Sequence, residues 1–244
     1  NDIGVPSDDT VSTAKIQVNA VTAAKFNADV ISGQTELAAE PADTDEFLVS
    51  DAGVIKRIDY SHIKGGGGLV YVGGTVSSSN VSEVAIDNVF TSTYKNYKII
   101  GEYTAVDSSG ATTSRFRFRT GGSSGSDLSG SEYNYHFLIH PSDSDTPVHQ
   151  RSTGSTSGEF TTALDETSAR HGVRFDFTVY DPFASDGRTT LSGLGRSTAT
   201  DANTLMFTGA CDIQNNSSVT GINFYAGAGN IKDIAIRVYG IVDS

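Results

Sequence analysis

Residues 115 to 119, Arg-Phe-Arg-Phe-Arg, alternate strictly between a charged and an aromatic side chain. Successive side chains of a β-strand point to opposite faces, so this stretch predicts a strand with both phenylalanines buried and its three arginines outward. The alternation recurs further along the chain, in Val173 to Val179 (VRFDFTV) and in Ile234 to Val238 (IAIRV). Three rows of this kind predict a body built from half-buried strands.

Short segments of the same kind recur between residues 69 and 244, separated by clusters of turn residues and without helical periodicity. Strands at this spacing without intervening helices are typical of a two-sheet antiparallel sandwich. We therefore predict an all-β fold, an antiparallel β-sandwich that is jelly-roll-like, for this part of the chain. Its predicted strands are 69–77, 83–90, 94–105, 113–120, 133–140, 158–164, 171–181, 188–196, 204–213, 219–226 and 231–241.

The composition argues against several classes of protein. The formal net charge of −12 disfavours nucleic-acid binding, because phosphate contacts need a basic surface. No apolar run approaches the length of a membrane span, so no membrane insertion is predicted. The single cysteine, Cys211, excludes an intrachain disulfide and a zinc site built from several cysteines. We predict no cofactor and no metal ion.

A ten-residue repeat marks the N-terminal region, where Val11 to Ile16 (VSTAKI) is echoed by Val21 to Phe26 (VTAAKF). Residues 1–38 have too few large apolar side chains to form a core alone, because ordering each residue costs roughly 1–2 kcal/mol of backbone entropy. Packing the same stripe from several copies around an axis would bury it. We predict that 1–38 is a shaft and oligomerisation segment; the alternative is a disordered linker.

Residues 39–64 are predicted to form a β-hairpin linker. Glu46 to Ser50 (EFLVS) has the pattern of a strand, Asp51 to Gly53 that of a tight turn, and Val54 to Tyr60 that of the returning strand. The run of glycines at 65–68 predicts a flexible joint. The β-sandwich head would then occupy residues 69–244.

A resemblance to bacteriophage tail-fibre and receptor-binding proteins rests on the repeat and on two further segments. These are Asp43 to Ser61 (DTDEFLVSDAGVIKRIDYS) and Ser217 to Ile241 (SSVTGINFYAGAGNIKDIAIRVYGI). The resemblance implies a homotrimeric virion protein made in the host cytoplasm. Its N-terminal region would bind other tail or capsid proteins, and its head would adhere to a bacterial surface glycan or protein.

Two alternatives stay open. A capsid head fibre or decoration protein would use the same modules anchored elsewhere on the virion. A tail-borne polysaccharide depolymerase would need two carboxylates at a set separation in a groove. No pair is distinguished among the acidic residues of the body, so we predict that the chain is not an enzyme. These residues are Asp127, Glu132, Glu159, Asp165, Glu166, Asp176 and Asp181.

Tyrosines and polar loops favour adhesion. A tyrosine ring with its hydroxyl suits the face of a sugar, and loops rich in Ser, Gly, Asn and Asp supply adaptable hydrogen bonds. The predicted loops are 105–112, 121–132, 141–157, 182–188 and 197–203. The predicted receptor-binding residues are Tyr133, Tyr135, His140, Asp143, Asp145, His149 and Tyr180. For any single tyrosine, the alternative is a place in the core or in a subunit interface.

Two charged patterns allow two interpretations each. The histidines and aspartates of residues 136–149 could bind a divalent metal, but their spacing matches no ligand signature, so a solvated polar loop is favoured. The row Arg115, Arg117 and Arg119 could hold the phosphates or carboxylates of a lipopolysaccharide. For this row we favour a solvated face or a subunit-interface strip, paired with acidic neighbours such as Asp176.

Overall fold

The computed structural model describes residues 29–63, 68–106, 112–164, 172–185, 188–198, 203–214 and 217–242. The chain divides into two units, Asn1–Gly65 and Gly66–Ser244. The predicted repeat and most of the predicted shaft lie outside the described residues, as do the first three glycines of the predicted joint.

The first unit contains the predicted hairpin. Its strands are β1 (Glu46–Asp51) and β2 (Val54–Asp59), flanked by two four-residue helices, α1 (Asp29–Ser32) and α2 (Tyr60–Ile63). The two turn residues, Ala52 and Gly53, have φ of 50° and 85°, as a two-residue type I′ turn requires. None of residues 29–63 is buried. The described part of this unit therefore has no core of its own, and an isolated two-stranded hairpin is only marginally stable in water.

The described part of the second unit is built from β-strands and one short 3-10 helix, Gly122–Ser124. The strands are β3 (Leu69–Ser77), β4 (Glu83–Ile86), β5 (Asn96–Val106), β6 (Thr112–Thr120), β7 (Ser126–Asp127), β8 (Tyr133–Pro141), β9 (Val148–Ser155), β10 (Gly158–Leu164), β11 (Val173–Tyr180), β12 (Arg188–Thr198), β13 (Thr204–Gln214), β14 (Gly221–Ala226) and β15 (Asn230–Ile241).

These strands form two antiparallel sheets. The small sheet has the order β10-β6-β14-β4, with β7 paired to β6, and the large sheet has the order β3-β15-β5-β11-β12-β13-β8-β9. Eight of the strands (β3, β4, β5, β6, β10, β11, β14 and β15) can be counted one to eight in chain order. They then pair as one-eight-three-six and two-seven-four-five, which is the jelly-roll topology. The hairpins β8–β9 and β12–β13 are insertions that widen the large sheet. The predicted antiparallel sandwich is confirmed.

Aromatic rings fill the space between the sheets. Phe160 of the small sheet has its ring centroid 5.2 Å from that of Phe177 and 5.6 Å from that of Phe175, both in the large sheet. Phe175 in turn stacks on Phe224 of the small sheet at 4.9 Å. Gly101 lies opposite Phe175 in the sheet, and a Cβ there would overlap the ring. The glycine therefore makes room for the aromatic core.

One predicted loop is corrected by the structure. Residues 141–157 include strand β9, which is the edge strand of the large sheet. Its inward-facing position Gln150 is polar, and its outward positions His149 and Arg151 are polar as well. An edge strand without an apolar face lacks the alternation from which strands are predicted.

Candidate functional site

Two of the predicted receptor-binding residues belong to the core. Tyr133 is fully buried, and its hydroxyl donates to the carbonyl of Leu128 and accepts from the N–H of Phe118, both at 2.9 Å. Tyr135 is 9% exposed. Both side chains lie on the inward face of β8, together with Phe137 and Ile139. The prediction for Tyr133 and Tyr135 was therefore wrong, because strand alternation turns these two rings away from solvent.

The other predicted residues are exposed but do not form one cluster. Asp143 and Asp145 lie in the turn between β8 and β9, where Asp143 accepts a hydrogen bond from Asn203 at 2.7 Å. The Nδ1 of His149 is 2.9 Å from the Nε2 of His136. Tyr180, at 43% exposed, ends strand β11. His140 faces outward on β8, directly opposite Met206 of β13.

Within the described part of the chain, no three His, Cys, Asp or Glu side chains converge as a metal site requires. None of the helices described is long and apolar enough to cross a membrane.

The arginines of β6 (Arg115, Arg117 and Arg119, the paired row) are each engaged by a carboxylate on the outer face of the small sheet. The Nε of Arg115 is 3.1 Å from Glu159, and Nη1 of Arg117 is 3.7 Å from Asp127. Arg119 bonds Asp87 at 2.7 Å and also bonds Asp127. Hydrogen bonding to Asp87 raises the pKa of Arg119. The predicted pairing is confirmed, although Asp176 is not one of the partners and instead contacts Lys98.

A groove of about 540 Å³ crosses the outer face of the large sheet. Its lining includes three exposed apolar side chains: Ile100 (45% exposed), Leu194 (60%) and Met206 (63%). Three arginines from different strands also line it, Arg174 of β11, Arg196 of β12 and Arg237 of β15. We call this set of six residues the arginine groove.

The arginines of the groove are only partly neutralised. Arg174 and Arg196 are register partners on adjacent strands, so their side chains leave the same face of the sheet next to each other. The Nε of Arg174 lies 2.6 Å from Glu102. Arg196 and Arg237 have no ion-pair or hydrogen-bond partner among the residues that the structure describes.

Sequence reasoning did not single out this groove. Its residues lie on five strands of the large sheet: β5, β11, β12, β13 and β15. The alternation marks Arg174 and Arg237 as outward-facing, but only the sheet order brings them towards Arg196. Of the seven predicted residues, His140 is the one whose register partner, Met206, lines the groove.

The groove combines groups that suit an anionic ligand with an apolar face. A guanidinium presents a planar fork of donors that matches a carboxylate or a phosphate. The exposed aliphatic side chains between the arginines offer a surface for non-polar contact. Comparison with known protein families, with curated proteins and with solved structures finds no match to this chain.

Proposed function

We propose that this chain is a virion structural protein, a phage tail fibre that adheres to a bacterial surface glycan or protein as a homotrimer. The jelly-roll sandwich supports this role, because the same architecture serves in viral capsid and lectin domains. A fold of this kind hosts many functions, so the site has to supply the specific argument. The observation that carries the adhesive role is the arginine groove, which has exposed apolar side chains and two arginines without an ion-pair partner among the residues that the structure describes.

The N-terminal hairpin supports assembly from several copies. Leu48 is 80% exposed and Ile55 is 74% exposed, and their positions in the register place them on the same face of the hairpin. Exposed apolar side chains on a two-stranded hairpin leave it marginally stable. Equivalent hairpins packed around a three-fold axis would bury this face. Three heads on one fibre would then bind a surface with avidity rather than through strong single sites.

Two alternatives remain as proposals of lower rank. A capsid head fibre would use the same hairpin and sandwich, anchored through the N-terminal region to capsid instead of tail proteins. A polysaccharide depolymerase would need two available carboxylates. Asp127, Glu159 and Asp176 are each paired with an arginine or lysine, which favours binding without turnover.

Light scattering of the full chain tests the assembly. We expect a trimer that Leu48→Asp converts to monomer, because a charge on the packed hairpin face opposes association. Val76→Asp is the matched control, since Val76 is 70% exposed on the outer face of the sandwich. A monomeric wild-type chain would contradict the homotrimer, and a trimer lost only in Val76→Asp would move the subunit interface to the sandwich.

Binding of the fluorescent trimer to a panel of bacteria tests the adhesive role. We expect retention on cells that carry the receptor, without release of reducing sugar from their surface polysaccharide. Release of reducing sugar would establish the depolymerase instead.

A further inference from the structure

We propose that the arginine groove binds an anionic saccharide, a sugar chain that bears carboxylate or phosphate groups. This inference rests on the proposed adhesive function and specifies the chemistry of its receptor. It concerns the outer face of the large sheet, not the hairpin β8–β9 that carries most of the residues predicted from the sequence.

Electrostatic repulsion between two groove arginines favours a bound anion. Like charges directly opposite each other on adjacent strands are destabilising, and Arg174 and Arg196 stand in that relation. Glu102 contacts Arg174 on its other side, which leaves the charge of Arg196 uncompensated among the described residues. A bound anion between the two guanidiniums would relieve the repulsion. In the paired row on β6, the arginine charges are instead neutralised by the carboxylates of Glu159, Asp87 and Asp127.

The charge of the groove differs from that of the chain as a whole. The whole chain has a formal net charge of −12, so its surface as a whole repels anions. The groove departs from this, because three arginines line it against the two carboxylates of Glu102 and Asp176. Arg237, the second unpaired cation, lies opposite Ile100 on the next strand. The excess of arginine over carboxylate in the lining favours an anionic ligand in the groove.

The size of the groove favours a saccharide over an acidic protein. The groove volume of about 540 Å³ falls within the range of roughly 300–1,000 Å³ for small-molecule sites. A stable protein–protein interface buries about 800 Å² on each partner and extends over roughly 20–30 residues, whereas the groove is lined by twelve residues. Sugar rings present an apolar face to aliphatic side chains such as Leu194 and Met206. Their hydroxyls can donate to the carboxylates of Glu102 and Asp176.

Calorimetric titration of the full chain tests the inference with defined probes. The anionic probes are an oligogalacturonate and a phosphorylated malto-oligosaccharide, and the neutral probe is the unmodified malto-oligosaccharide. We expect one or both anionic probes to bind and the neutral probe to bind at least tenfold more weakly. Arg196→Gln and Arg237→Gln should each weaken the anionic probe by roughly tenfold to a hundredfold, the factor for one charge-assisted hydrogen bond.

Arg188→Gln is the matched control. Arg188 lies on the same face of the same strand as Arg196, eight residues away, which is about 26 Å along β12. This variant should bind like the wild type. Unfolding curves of all three variants show whether each is folded at the temperature of the titration.

Four results would overturn the inference: no binding of either anionic probe, equal binding of the neutral probe, unchanged binding in both groove variants, or equal binding of oligoglutamate. The last would identify an acidic protein segment as the ligand. The proposed function fails separately. A trimer that adheres to cells but binds neither anionic probe refutes only the saccharide chemistry. A chain that binds the probes but no cells refutes only the adhesion.

Discussion

Each outer face of the sandwich carries a group of three arginines, the paired row on the small sheet and the arginine groove on the large sheet, and the two groups differ in their partners. On the small sheet, Arg119 is 12% exposed at its side chain and contacts two carboxylates. The same face holds Asn223, fully buried, which donates to Glu83 at 2.8 Å and to Asp127. On the large sheet, one of the three groove arginines is paired, and exposed aliphatic side chains lie among them.

The difference separates a structural use of arginine from a binding use. A guanidinium held by several carboxylates has few donors left for a ligand, and its loss exposes those carboxylates to one another. A guanidinium without a partner contributes little to the fold but keeps its donors for a ligand. The presence of acidic neighbours within reach therefore indicates the role of a surface arginine better than the number of arginines on its strand does.

The largest expected effect acts on the core beneath both faces. Burial raises the pKa of Tyr103, Tyr133 and Cys211 above their ordinary values of 10.0, 10.0 and 9.0. Above those values the unfolded chain loses these protons while the folded chain keeps them. The unfolded state then binds fewer protons, so stability is complete below about pH 9 and falls as the pH rises.

At pH 11 the combined loss from the three groups should reach roughly 5 kcal/mol, at about 1.4 kcal/mol per group and pH unit. Urea unfolding between pH 8 and about 11 measures it. Tyr133→Phe and Cys211→Ala should each reduce the change in the free energy of unfolding between pH 8 and about 11. A stability that is constant across this interval would mean that the three groups titrate alike in both states.

Arg119→Gln should have the next largest effect, a loss of about 3 kcal/mol in the free energy of unfolding. The substitution leaves Asp87 and Asp127 without their shared cation on a face with little solvent. Arg115→Gln is the matched control on the same strand, and its more exposed pair with Glu159 should cost less than about 1 kcal/mol. Neither variant should alter binding of the anionic probe. Reduced binding in Arg119→Gln at unchanged stability would break the comparison between the two faces.

Tyr133→Phe should cost about 2 kcal/mol at neutral pH, since it leaves the N–H of Phe118 and the carbonyl of Leu128 without their partner. This effect tests the conclusion that the Tyr133 hydroxyl is not a receptor contact but a hydrogen-bonded link between β8 of the large sheet and β6 of the small sheet. Tyr180→Phe is the control at an exposed position and should leave stability unchanged. Chemical denaturation of both variants measures the difference, and equal free energies of unfolding for the two would argue against this link.

The sequence predicts much of this fold for a physical reason. Jelly-roll strands with one buried face alternate visibly, as Arg115 to Arg119 and Val173 to Val179 do. The hairpin turn at Ala52 and Gly53 is local chemistry and was equally predictable. Strand β9 was missed because both of its faces are polar at the sheet edge. The segment Tyr133 to Phe137 (YNYHF) also alternates, so the inward position of Tyr133 and Tyr135 is encoded in the same periodic pattern.

The candidate site was not predictable in the same way. Alternation marks Arg174 and Arg237 as outward-facing, and Arg196 ends the predicted strand 188–196, but the proximity of the three arginines depends on the order β15-β5-β11-β12. Sheet order is a property of tertiary pairing and leaves no periodic trace in one sequence. Whether an arginine has an acidic neighbour depends on the same order, so the contrast between the two faces emerges only from the structure.

The smallest expected effect is also the sharpest test of that contrast. Removal of an arginine of the paired row should lower the free energy of unfolding, whereas removal of Arg196 from the groove should raise it. Arg196→Gln should raise the free energy of unfolding by about 0.2–1 kcal/mol, since it removes a like charge directly opposite Arg174. Arg188→Gln, remote on the same strand, should change stability by less. The gain of Arg196→Gln should shrink in 1 M NaCl, where the screening length is about 3 Å. A loss of stability in Arg196→Gln would mean that the charge of Arg196 is already compensated in the wild-type chain. The arginine groove would then be a second set of paired arginines rather than a binding site for an anion.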